Sequence, residues 1–134
     1  MFVKEMEQAG IVWFSRKERE QENPIEVYIS EINNGLIFIL SDKGPRLGTI
    51  AIGTPMPLPG DRINTASIPI VFGIRNELLS RAIAERVARA CSKLVIASVY
   101  LSNESAELAQ HSLQFAEKSI HEFILKTKKP GAKK

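Results

Sequence analysis

The two histidines are the first side chains to consider for metal or acid–base chemistry, because imidazole is a common metal ligand and proton carrier. His111 and His121 lie ten positions apart in a segment with helical periodicity. Ten steps along a helix separate them by about 80° around the axis and ~15 Å along it. One metal ion cannot bind both at that separation, so the sequence predicts no histidine metal site.

Cys91 is the only cysteine in the chain. A single thiol excludes an internal disulfide and a cysteine-rich zinc site, and it fits a reducing compartment. It ends an apolar helical stripe near the carboxyl end of a predicted helix, where the helix dipole disfavours a thiolate. We interpret it as a small core residue rather than a nucleophile.

The glycine-rich stretches do not make a phosphate loop. The segments 44–48 (GPRLG) and 53–55 (GTP) lack the Gly-Lys-Ser/Thr ending that such a loop needs between a strand and a helix. Serines and carboxylates are plentiful, yet their spacing gives no convergent triad or carboxylate pair. We therefore predict a protein that is not an enzyme and needs no cofactor or metal.

The basic charge of the chain is concentrated at its carboxyl end. The formal net charge is +3 and the pI about 9.1. Residues 126–134 (KTKKPGAKK) hold five lysines and no acids, which leaves 13 basic and 15 acidic residues in the body, a net charge of −2. We predict that 126–134 is a flexible tail. A nucleic-acid-binding or ribosome-associated module that uses this tail is the main alternative function.

The length of 134 residues and the ordinary composition, 44% apolar and 25% charged, predict one globular domain over residues 1–125. Ile25, Val27 and Ile29 alternate with polar residues, as in a half-buried strand. A turn at 33–35 (NNG) then leads into 36–40 (LIFIL), which is apolar on both faces and predicts a central strand covered on each side. Further strands are predicted at 11–14, 47–52, 68–74 and 94–101.

Three prolines at alternate positions mark the segment Thr54–Gly60. Proline lacks an N–H and fixes φ, so this segment is predicted to be an extended connector and not an interior strand.

Two apolar stripes at helical spacing predict two helices packed on the sheet. The first consists of Leu79, Ile83, Val87, Ala90 and Cys91, supported by Leu78 and Ala82; the second of Ala109, Leu113, Ala116, Ile120, Phe123 and Ile124. The predicted fold is a single-domain α+β fold with an antiparallel sheet of five or six strands and two helices, in the order β-β-β-β-β-α-β-α.

No stretch of the chain suits a bilayer. The longest run without a polar side chain, Ile68–Ile74, is far shorter than the ~20 residues of a membrane span. Acids interrupt Met1–Glu7 before an apolar leader segment can develop. We expect a cytoplasmic protein, with the nucleus as a second compartment, and no membrane partner.

The order of elements and several local strings resemble the eukaryotic proteasome assembly chaperones, and within them the fourth member of the family. The similarity covers roughly residues 11–125 and is carried by packing residues. It lies in the hairpin 36–52, in Ile68–Pro69 before the first helix, and above all in Leu79–Leu101, with AERVAR at 84–89 and LVIASVYL at 94–101.

The resemblance implies a non-catalytic role. Members of this family pair with a related small chaperone, and the heterodimer docks on alpha-type proteasome subunits and guides formation of the alpha ring. The chain ends in Ala132-Lys133-Lys134 and lacks a carboxyl-terminal hydrophobic-Tyr-any-residue signal, so docking is expected to use the folded body. The predicted partner-binding residues are polar groups that frame the sheet and the first helix: Arg46, Arg86, Arg89 and Lys93.

Overall fold

A computed structural model describes the backbone of residues 13–18, 24–58, 62–72, 76–103 and 105–133, and the side chains of 13–18, 24–55, 76–103 and 105–127. The elements are β1 (Trp13–Lys17), β2 (Glu26–Ile32), β3 (Gly35–Ser41), β4 (Thr49–Leu58), β5 (Arg62–Phe72), α1 (Glu77–Cys91), β6 (Leu94–Tyr100) and α2 (Ala106–Lys133). The predicted α+β class and element order are confirmed. The first strand was expected from Ile11, a position outside the described residues.

The six strands form one sheet in the order β1-β2-β3-β6-β4-β5. The sheet is mixed, which corrects the purely antiparallel prediction. β6 lies between β3 and β4, parallel to β3 from Gly35↔Leu94 to Ser41↔Tyr100 and antiparallel to β4. The cause is the crossover through α1, which carries the chain back across β4 so that β6 runs in the same direction as β5.

The hydrophobic core fills the space between one sheet face and the two helices. Val27, Phe38 and Val95 are among the buried residues of β2, β3 and β6. Most of the predicted helix residues pack on this core, and Ala84, Ala88 and Phe115 join them. Leu78 does not, because it projects from the outer side of α1 and is 79% exposed.

The described part of the proline-rich segment, residues 54–58, is a strand where an extended connector was expected. Pro55 and Pro57 lie within β4 and pair in register with Thr65 and Ile63 of β5. β4 pairs with β6 only from Thr49 to Gly53, so beyond Gly53 its other edge has no partner in the described sheet. Prolines at alternate positions direct their missing N–H groups to one side of a strand. The two-stranded ribbon can accept prolines on that free edge.

The last helix continues into the lysine-rich end of the chain. Its backbone is helical as far as Lys133, beyond the predicted start of the tail at Lys126. The side chains after Thr127 lie outside the described residues, so a flexible tail remains a prediction. Among the helices that the structure describes, none is both long and apolar enough to cross a membrane.

Candidate partner-binding surface

The sheet face opposite the helices carries a patch of apolar side chains, which we call the open sheet face. It consists of Ile37 and Ile39 of β3, Ile50 and Ile52 of β4, and Leu94 and Ile96 of β6. None of the six belongs to the core beneath the helices. Leu94 and Ile96 are 39% and 41% exposed, whereas their neighbours Val95 and Ala97 are fully buried.

The strand registers make this patch continuous. Ile37 lies beside Ile96, and Ile96 lies beside Ile52, so three isoleucines form one row across β3, β6 and β4. No helix or strand in the described ranges packs on that row. A contiguous apolar patch on a sheet is typical of a surface that another protein covers.

The β1–β2 side of the patch is partly polar. Trp13 in β1 is 49% exposed and pairs with Ser30 of β2. Two positions before Ser30 in β2, the Tyr28 hydroxyl donates a hydrogen bond to Glu26, which also forms an ion pair with Lys17. Burial, followed by the hydrogen bond and charge of Glu26, raises the pKa of Tyr28 to about 12. An apolar centre with a polar rim is the usual composition of a protein interface.

The loop after β3 forms another border of the patch. The Arg46 guanidinium lies 5.0 Å from the centre of the Tyr100 ring and donates a hydrogen bond to the Tyr100 hydroxyl at 3.3 Å. The Gly48 N–H donates to the Ser98 hydroxyl at 2.8 Å. Of the four predicted partner-binding residues, Arg46 therefore lies at the edge of the open sheet face.

The structure does not bring the other three together with Arg46. Lys93 precedes β6 at the opposite end from Tyr100 and pairs with Glu31. Arg86 pairs with Glu117 of α2, which ties the two helices together. Arg89 is exposed on α1 and forms no ion pair within the described residues. Their role in binding a partner remains a prediction.

The histidines and the cysteine that were considered for metal binding or catalysis also do not form one site. His111 contacts Glu18, whereas the His121 ring contacts the Glu117 carbonyl. Cys91 is half-buried against the core, and burial raises the pKa of its thiol. The part of the chain with described side chains contains no cluster of His, Cys, Asp and Glu able to hold a metal ion.

Comparison with known proteins gives a fold likeness alone. No family model and no curated protein matches the chain. Among solved structures, a chain in the crystal structure of a chaperone complex for yeast 20S proteasome assembly superposes with a TM-score of 0.57 and 13% sequence identity, over 87% of this chain and 96% of the other. This protein therefore has the fold of a component of a yeast 20S proteasome assembly chaperone complex.

Proposed function

We propose that this protein is a non-catalytic chaperone for assembly of the alpha ring of the proteasome core particle, acting as a heterodimer with a related small chaperone. The observation that carries the proposal is the open sheet face. The fold likeness to a component of a proteasome assembly chaperone complex supports it, and so do the strings that resemble the fourth member of that family.

The open sheet face is proposed as the site of pairing. The row Ile37, Ile96 and Ile52 presents apolar area at the centre of the sheet, where a second sheet could stack on it. Removing apolar surface from water contributes roughly 25 cal/mol per Å². The helices already cover the other face, so a partner on the open sheet face would complete a layered structure.

Alpha-type subunits require a second surface, because the first is filled in the heterodimer. Arg89 on α1 is the strongest candidate among the four predicted residues, since it has no ion pair to give up among the described side chains. Arg86, Lys93 and Arg46 each have an intramolecular partner that a new contact would have to replace. We place the activity in the cytoplasm, with the nucleus as a second compartment.

A pull-down of the tagged full-length chain, analysed by mass spectrometry, tests the proposal. We expect a second small chaperone together with free alpha-type subunits or half-built rings, and little of the chain on completed proteasomes. Ile96→Asp should abolish recovery of the small chaperone, whereas Leu78→Asp, the same class of change on the exposed side of α1, should not.

The alternative function predicts a different result. A nucleic-acid or ribosome-associated module would recover RNA or ribosomal proteins and no proteasome subunit. Ile96→Asp should not change this recovery of RNA or ribosomal proteins, and removal of the lysine-rich end should abolish it. Such a result would overturn the chaperone proposal.

A further inference from the structure

A groove of about 540 Å³ lies between the edge strand β1 and helix α2, away from the open sheet face. One wall is β1 and its continuation, residues 14–18. The other is a stripe of α2 at helical spacing: His111, Gln114, Phe115, Lys118, Glu122 and Lys126. This volume is typical of a binding pocket, for which the range is roughly 300–1,000 Å³.

The groove keeps unneutralised positive charge. Its two carboxylates are already engaged, Glu122 with Arg16 at 2.8 Å and Glu18 with His111. Lys118 has no ion pair among the described residues, and Lys126 lies over the Phe14 ring at 5.5 Å from its centre. Lys118 and Lys126, about two helical turns apart on α2, thus remain available to an anionic ligand.

Arg16 adds an unsatisfied donor in the same place. Its guanidinium lies over the Phe115 ring at 5.0 Å and uses Nε for Glu122, while Nη1 has no acceptor within the described part of the chain. A buried donor without an acceptor costs free energy. A carboxylate entering the groove could supply the acceptor after a rotation of the guanidinium.

The strand wall offers a second kind of contact. β1 pairs with β2 on one side and ends the sheet on the other, so its outer backbone groups have no strand partner in the described sheet. A free edge accepts an extended peptide by main-chain hydrogen bonds, with side-chain contacts providing selectivity.

We propose that this groove binds an extended acidic peptide segment of a partner protein, added to the free edge of β1 with its carboxylates facing Lys118, Lys126 and Arg16. The proposal does not rest on the chaperone function. Strand addition explains the location at a sheet edge, and the cationic stripe of α2 explains the preference for acidic side chains.

Fluorescence anisotropy with labelled hexapeptides tests this inference on the full-length chain. The probe alternates valine and glutamate, and the matched control replaces each glutamate by glutamine. The acidic peptide should bind, more weakly as salt is raised, and the glutamine peptide should bind about tenfold less tightly or worse. Two further versions of the acidic peptide carry N-methyl groups on alternate backbone nitrogens, one version on each edge of the extended strand. The version whose methyl groups face β1 should not bind, whereas the other should bind.

Protein variants then locate the site. Lys118→Glu combined with Lys126→Glu should weaken binding of the acidic peptide at least about tenfold. Lys43→Glu, a charge reversal at an exposed lysine that does not line the groove, should leave peptide binding and the melting temperature unchanged. An equal loss of binding with Lys43→Glu, equal binding of the glutamine peptide, or equal binding of both N-methylated peptides would each overturn the proposal. So would lysine-dependent binding of inorganic phosphate or single-stranded RNA without peptide binding.

Discussion

Gly53 of β4 faces Ala84 of α1 at a distance that leaves no room for a side chain. A Cβ atom placed on Gly53 would lie 2.4 Å from the Ala84 carbonyl oxygen and 3.3 Å from the Ala84 Cβ. The obstacle is helix backbone, which cannot rotate aside as a side chain does. This contact sets how closely α1 packs on the sheet where it crosses β4.

Gly53→Ala should therefore destabilise the fold by about 1–3 kcal/mol or more, the usual cost of overpacking a core. Thermal and urea unfolding would measure it, with Ser15→Ala on exposed β1 as the control. An unchanged melting temperature for Gly53→Ala would contradict the close helix–sheet contact.

Ile83→Asp should cost several kcal/mol, because Ile83 is fully buried beneath α1 and an unpaired carboxylate there is poorly solvated. Leu78→Asp on the same helix changes an exposed leucine and should stay within about 0.5 kcal/mol. Urea unfolding of both variants tests which face of α1 is inside. Equal stabilities would show that the assigned face is wrong.

Tyr28 should ionise near pH 12, compared with 10.0 for a free tyrosine. Because the folded state holds this proton more tightly than the unfolded chain, stability should fall as pH rises from about 10 to about 12. Ultraviolet titration of tyrosinate would locate the midpoint, which Glu26→Gln should lower. Tyr28→Phe should remove the part of the stability loss at alkaline pH that Tyr28 causes. A midpoint near pH 10 for Tyr28 in the parent protein would contradict the raised pKa.

The isolated chain should self-associate through the open sheet face when its partner is absent, because the apolar row remains exposed. Sedimentation velocity over a range of concentrations would measure this. Ile96→Asp should shift the protein to monomer, and Leu78→Asp should not. A parent chain that stays monomeric at high concentration would argue against this face as a pairing surface.

Truncation after Thr127 should leave partner binding intact while weakening adsorption to anionic resin, since it removes four lysines. It retains Lys126, which contacts the Phe14 ring. Co-purification of the partner and elution salt on a cation exchanger give the two readouts. Loss of the protein partner would instead make the lysine-rich end part of the binding surface.

Several features of this fold could be read from local patterns. Alternation at Val27 and Ile29 identifies β2, and the stripe through Ile83 and Val87 identifies α1, because burial on one side imposes a period of two on a strand and 3.6 on a helix. The order of elements follows from the same patterns. Arg46 was expected from sequence to bind a partner; its place beside Tyr100 is known only from the structure, and its role in binding stays a prediction.

The pairing of strands and the location of both candidate surfaces depended on tertiary structure. β3 is apolar at every position from Leu36 to Leu40, so its sequence does not indicate that Phe38 lies under the helices while Ile37 and Ile39 face outward. The prolines of β4 are tolerated only because β6 stops pairing at Gly53. The insertion of β6 between β3 and β4 brings Ile37, Ile96 and Ile52 into one row from residues up to 59 positions apart. Local periodicity reports which side of an element is apolar, whereas the neighbour that covers that side is chosen by long-range packing of the whole chain.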